Sequence, residues 1–327
     1  MRHPQLLTAL LFWVAALAAA EETTPPPAAV AVPAGIPATA APLRAAPLPL
    51  LWKVSDADNA VYLLGSFHLL KATDYPVSSD IEDALEAASS VVFEVTPEQL
   101  HDPANTAKFL QVAGYGDART LSGVLPAGMR AQLAALMAPQ GGTVEQLDQF
   151  EPWFVNLSLV LGLAQSMGFS PEQGLDQYLM SRAAAGGKAT GGLESIDTQL
   201  AALEDSPMPE QIQGLADFLD RSQEMPEMLA DMHDAWREGD IVRLEALSSA
   251  EMREKTPATY KTVIVDRNNA WTPQLKAMLD GTETSDTLVV VGALHLLGND
   301  GVVEKLRAHG FTVERICSEC PRETIAQ

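Results

Sequence analysis

Basic residues are scarce in this chain. It has 21 Lys and Arg against 43 Asp and Glu, a formal net charge of −22. A nucleic-acid binder needs a basic footprint to neutralise phosphates, and none is visible. The same charge disfavours peripheral binding to anionic membranes; its plain effect is to keep the protein soluble. Cysteine is nearly absent, with Cys317 and Cys320 the only two. A redox C-x-x-C belongs at a helix start after a strand in a βαβ unit, and a zinc knuckle needs two more ligands nearby. Neither context is present, so the pair reads as a local disulfide or two inert thiols. The apolar run Leu6–Ala20 carries no charge but is short for a membrane span. Histidine is rare too, with six in the chain.

What is there begins with processing signals. Arg2 and His3 give a weakly positive start, Leu6–Ala20 has the length of a signal h-region, and Ala18-x-Ala20 suits signal peptidase. Residues 1–20 therefore read as a signal peptide, and the mature chain as exported, periplasmic or secreted, with no stable membrane span. No Cys lies near the cleavage site, which argues against a lipoprotein anchor. Residues 21–49 are rich in Ala and Pro and have no helical or strand period, so they read as a disordered linker. A single large domain is expected over 50–320, followed by a tail, 321–327.

Two of the six His lie in a repeated motif. Leu64-Gly65-Ser66-Phe67-His68-Leu69-Leu70 near the start is matched by Val291-Gly292-Ala293-Leu294-His295-Leu296-Leu297 near the end. Each follows a short apolar run, Ala60–Leu64 or Thr287–Val291, that reads as a buried strand. Gly65 and Gly292 permit a sharp exit or a close backbone approach. His68 and His295 then fall just past strand ends, where ligands collect in open α/β sheets.

The rest of the chain supplies carboxylates in similar places. Leu51–Ser55 and Ala60–Leu64 read as a hairpin across Asp56–Asn59. Ser79 and Glu82 suggest a capping box for a helix over Ile81–Ala88. Ser90–Val95 is the next strand, apolar except for Glu94, whose burial requires a partner or a polar strand-end position. From about 97 to 260 the pattern is largely helical, with helices over Leu100–Val112, Met129–Met137, Gln146–Gly168 and Pro171–Ala185, and a long helical stretch, Pro207–Glu238, broken at Pro226. Within it, Asp176 sits near a helix start. Lys188–Leu193 reads as a short strand with Glu194 just beyond. His233 lacks a second ligand at helical spacing and reads as a surface or packing residue. Thr262–Leu279 is helical and carries Arg267 and Asn268; Arg267 suits a surface ion pair, the orientation of a carboxylate, or an oxyanion. Val302–Ala308 and Phe311–Ile316 complete a closing strand–loop–helix–strand unit. The fold expected is α/β: a mixed central sheet from N- and C-terminal α/β half-units, with a large helical middle insertion.

These segments resemble the TraB/GumN family, which includes the TIKI metalloproteases and is distantly similar to ChaN-like and erythromycin-esterase-like proteins. The features are LWKV before YLLGSFH, the strand VVFEV, the GLD segment at Asp176, the GLES segment followed by Gln199, the DRN segment with Trp271, and the closing VVVGALHLLGNDGVVEKLRAHGF. The resemblance implies a divalent-metal hydrolase of peptide or related amide bonds. His68, Glu94 and His295 would form the central metal constellation, with Glu94, Glu194 and Arg267 in catalytic roles. Gly65, Gly292, Asp176 and Asn268 are secondary candidates. Mn, Co, Zn and Fe all suit such a donor set. Whether Glu94 is ligand or general base stays open, as does metal identity. Two rivals remain: a metal-independent esterase-like hydrolase with His68 and Glu94 as base partners, and an envelope protein that binds metal, haem or a small ligand without turnover.

Overall fold

The computed structural model describes residues 45–281 and 285–321. The expected signal peptide, most of the linker and most of the tail lie outside the described residues. Residues 45–49 already pack on the fold: Leu48 N donates to Arg237 O at 2.8 Å, and Arg315 Nη2 donates to Pro49 O at 2.9 Å.

The sheet has six strands: β1 (Leu51–Ser55), β2 (Ala60–Ser66), β3 (Ser90–Phe93), β4 (Ala189–Gly192), β5 (Thr287–Gly292) and β6 (Thr312–Ile316). Their spatial order is β4-β3-β5-β2-β1-β6. β1 and β2 make the expected hairpin, with Asp56 Oδ1 accepting from the backbone of Asp58 and Asn59 in the turn. β4, β3, β5 and β2 are parallel, and β1 runs against both β2 and β6. The sheet is thus mixed, as expected. Leu288 to Val291 on β5 are all buried, as suits a central parallel strand covered on both faces. The half-units interleave: β5, from the C-terminal part, lies between β2 and β3. This register brings the carboxyl ends of four parallel strands to one edge.

The middle of the chain is mostly helical but returns once to the sheet, as β4 at its edge. Several boundaries differ from the sequence reading. The helix expected over Ile81–Ala88 spans Ser79–Ala87 with Ser78 as its N-cap, so the Ser79–Glu82 capping box is not formed. Glu82 instead accepts from Tyr178 and Arg182. Gln146–Gly168 divides into a 3-10 turn, Val144–Leu147, and a helix, Pro152–Ser166. The stretch Pro207–Glu238 forms two helices, Met208–Asp220 and Met225–Arg237. The break precedes Pro226, which sits in the first turn, where its missing N–H leaves no bond unmade. The helix expected from Thr262 opens as a π turn, Lys261–Asp266, and continues as an α-helix, Arg267–Leu279.

His233 is buried, so of the two roles expected it takes packing. Its Nε2 is 2.9 Å from Asp74 Oδ2, and Arg237 pairs with the other Asp74 oxygen. This buried triad ties the segment after His68 to the Met225–Arg237 helix. Cys317 and Cys320 form a disulfide. No described helix is long and apolar enough to cross a membrane.

Candidate functional site

Each of the four parallel strands delivers one residue to the shared edge. His68 follows β2 by two residues, Glu94 follows β3 directly, Glu194 follows β4 by two and His295 follows β5 by three. The β3–β4 ladder extends past the strands, since Glu194 N donates to Glu94 O at 2.9 Å. Two glycines make the close packing possible. A Cβ on Gly65 would lie 3.1 Å from Ala293 Cα, and one on Gly174 would lie 2.4 Å from the His68 carbonyl oxygen. Gly174 thereby lets the Leu175–Ala185 helix begin directly against His68, with Asp176 in its first turn.

Arg267 occupies the centre of the cluster. Its Nε and Nη2 donate to Glu194, at 3.0 and 2.6 Å to Oε1, and Nη2 also donates to Glu94 Oε2 at 2.6 Å. Nη1 reaches Val263 O at 3.3 Å and His295 Nε2 at 2.9 Å. All five guanidinium N–H groups thus have acceptors within the site. Glu94 Oε2 accepts a further bond from Gln199 Nε2 at 3.0 Å, and its Oε1 accepts from Gly292 N at 2.7 Å. Trp271 Nε1 donates to Glu194 Oε2 at 3.1 Å, and its ring lies 4.7 Å from the guanidinium and 4.5 Å from the His295 ring.

The two imidazoles differ in kind. Asn268 Nδ2 donates to the carbonyls of His295 and Asp300, so its Oδ1 is the acceptor for His295 Nδ1 at 2.7 Å. His295 therefore carries its proton on Nδ1 and turns a bare Nε2 to Arg267. Burial, reinforced by the adjacent guanidinium, lowers its pKa to about 3. His68 Nδ1 lies 2.8 Å from Asp176 Oδ1, and its Nε2 lies 4.0 Å from Glu94 Oε1. Burial would lower the His68 pKa, but Asp176 and then Glu94 outweigh it, and the value is raised. For Glu94, burial pulls upward, yet Arg267 and the imidazoles bring the carboxyl down to about 2. Glu194 keeps a raised pKa because burial outweighs its bonds to Arg267.

All the candidates named from sequence fall in this one cluster or in the backbone that supports it. Gln199 and Trp271 were legible only as matching segments, without a role. Their signal was spacing: Trp271 lies one helical turn after Arg267, and Gln199 lies in the first turns after Glu194. Arg267 is buried and donates to both Glu94 and Glu194, so it is not the surface ion pair among its three expected roles.

A divalent ion held by His68, Glu94 and His295 does not fit the side chains as they stand. The His295 Nε2 lone pair accepts the Arg267 proton, and the guanidinium fills the space between His295 and both carboxylates. Among the described residues, no group of three or more His, Cys, Asp or Glu side chains is arranged to hold a metal. No curated protein and no solved structure matches the chain. Residues 50–315, nearly the whole of the described fold, match the model of the TraB/PrgY/gumN family, and the chain belongs to that family.

Proposed function

We propose that this site hydrolyses a carbonyl substrate, a peptide or a related amide or ester, with His68 as general base. The observation that supports this reading is the buried His68–Asp176 pair, whose imidazole turns its Nε2 edge toward Glu94 Oε1 at 4.0 Å. The Asp176 carboxylate fixes the proton on Nδ1 and leaves the Nε2 lone pair as the basic site. His68 Nε2 takes a proton from water, the oxygen adds to the carbonyl carbon, and the same proton passes to the leaving nitrogen or oxygen. Glu94, at about 2, is too weak a base for that step but favours the imidazolium that forms. Arg267 acts as a positioning residue: it holds Glu94, Glu194 and His295 in one geometry. Beside it a cleft lined by Glu194, Trp271, Thr198 and Asp205 gives a route to the cluster. Its acidic rim suits neutral or cationic substrates. Export to the periplasm or medium belongs to the same proposal and rests on the N-terminal sequence.

The competing reading places a divalent ion on His68 and Glu94, with Arg267 withdrawn from His295. One experiment separates the two. Hydrolysis of p-nitrophenyl acetate and of a pooled peptide library is followed with the full protein, with His68→Ala, and with chelator. Loss of activity by about 10²–10⁴-fold in the variant, with chelator harmless, is the expected result. Full activity in His68→Ala, or no turnover of either probe by the parent, refutes the base assignment. Activity that needs added Mn²⁺ and disappears with chelator supports the metal reading instead.

A further inference from the structure

A second cavity lies among the helices, away from the strand ends. It has a volume of about 50 Å³ and is closed in by Trp153, Asn156, Leu203, Gly214, Met252 and Val263. Trp153 and Asn156 are three residues apart on the Pro152–Ser166 helix and share a face. They are 4 % and 5 % exposed, and Trp153 Nε1 and Asn156 Oδ1 have no hydrogen-bond partner among the described residues. A buried indole N–H and a buried amide oxygen each need a partner. The cavity also has a place where its wall is cut away. Gly214 stands inside the Met208–Asp220 helix, where glycine is a poor helix former. A Cβ there would meet only the Asn156 amide, at 3.3 Å.

We propose that this cavity is a binding site for a small uncharged molecule with an amide-like group. The indole N–H asks for an acceptor and the Asn156 oxygen for a donor, and an amide or lactam supplies both from adjacent atoms. Leu203, Met252 and Val263 take the apolar remainder. A charged ligand is disfavoured because the cavity's carboxylate, Glu210, already accepts from Ala258 N and Thr259 N at 3.1 and 2.7 Å. The place of the cavity gives it a consequence. Val263 lies in the π turn Lys261–Asp266, and its carbonyl accepts from Arg267 Nη1. π turns of this kind are concentrated at functional sites. A ligand packed against Val263 therefore bears on the segment that aims Arg267. The inference does not depend on the chemistry proposed for His68.

The test uses ¹⁵N-labelled full-length protein and 2-pyrrolidinone as the probe. The indole N–H signal of Trp153 is identified by its loss in Trp153→Phe. A saturable shift of that signal, with a dissociation constant of about 1–30 mM for so few heavy atoms, is the expected result. Gly214→Ala, which suits a helix and narrows the cavity, weakens the probe at least about tenfold. Cyclopentane, of similar size but without polar groups, leaves the signal in place. Three outcomes overturn the proposal: no saturable shift, which makes the cavity a pocket for a few waters only; equal binding by Gly214→Ala; or equal binding of cyclopentane. None of these readouts requires turnover.

Discussion

Replacing Arg267 by methionine, similar in length but uncharged, tests what holds the strand-end cluster together. Burial alone would lift the Glu94 carboxyl above its ordinary 4.5, and its charged surroundings, Arg267 foremost, bring it to about 2. A fall of that size corresponds to roughly 3 kcal/mol of favourable interaction for the ionised form. Removing one partner of a buried ion pair typically costs about 3–5 kcal/mol, which agrees. For a domain of this length each kcal/mol moves the melting midpoint by about 2–4 °C, so Arg267→Met melts about 6–20 °C lower near neutral pH. The pH dependence gives the sharper test. In the parent, Glu94 lies below its unfolded value, so its stabilisation is present above about pH 4.5 and is lost as pH falls toward 2. In the variant, burial of Glu94 and Glu194 is no longer offset by the guanidinium, and both carboxyls move up. Their cost then grows as pH rises through the new values. The gap between parent and variant is widest near neutral pH and narrows in acid. Thermal unfolding by circular dichroism across the range measures it. Adding Glu94→Gln and Glu194→Gln to the variant recovers part of the loss. A variant that melts within about 2 °C of the parent near neutral pH, or a gap independent of pH, refutes the central place given to Arg267.

Asp176→Asn removes the group that, against burial, raises His68. The acid limb of the pH–rate profile should move to lower pH while the plateau rate falls about 10²-fold; an unmoved limb argues against His68 as the base. Asp74→Ala strands His233 and Arg237 in the core without their carboxylate, at a cost of about 3–5 kcal/mol in urea unfolding, and a loss under about 1 kcal/mol contradicts the buried triad. Reduction of Cys317–Cys320, which closes a loop of sequence separation 3, should cost no more than about 2 kcal/mol. A thermal scan with dithiothreitol checks this, and collapse of the cooperative transition contradicts it.

The strands and the residues at their carboxyl ends were legible because short apolar runs bounded by glycine or polar residues carry a local signal. The same is true of the hairpin at Asp56–Asn59. Boundaries inside the helical middle were less legible: the break expected at Pro226 falls just before it, and the π turn at Lys261–Asp266 has no apolar period of its own. The sequence by itself determined which residues stand at strand ends: His68, Glu94, Glu194 and His295. It could not decide how they meet. That depended on β5 inserting between β2 and β3, a pairing between segments some 200 residues apart. The roles of the two His were also tertiary decisions. His68 and His295 have nearly the same local sequence, but Asp176 backs one and Asn268 backs the other. A carboxylate partner raises the first, while burial and a neighbouring guanidinium hold the second neutral. A charge state belongs to the groups that surround a side chain in space, and no local pattern encodes them.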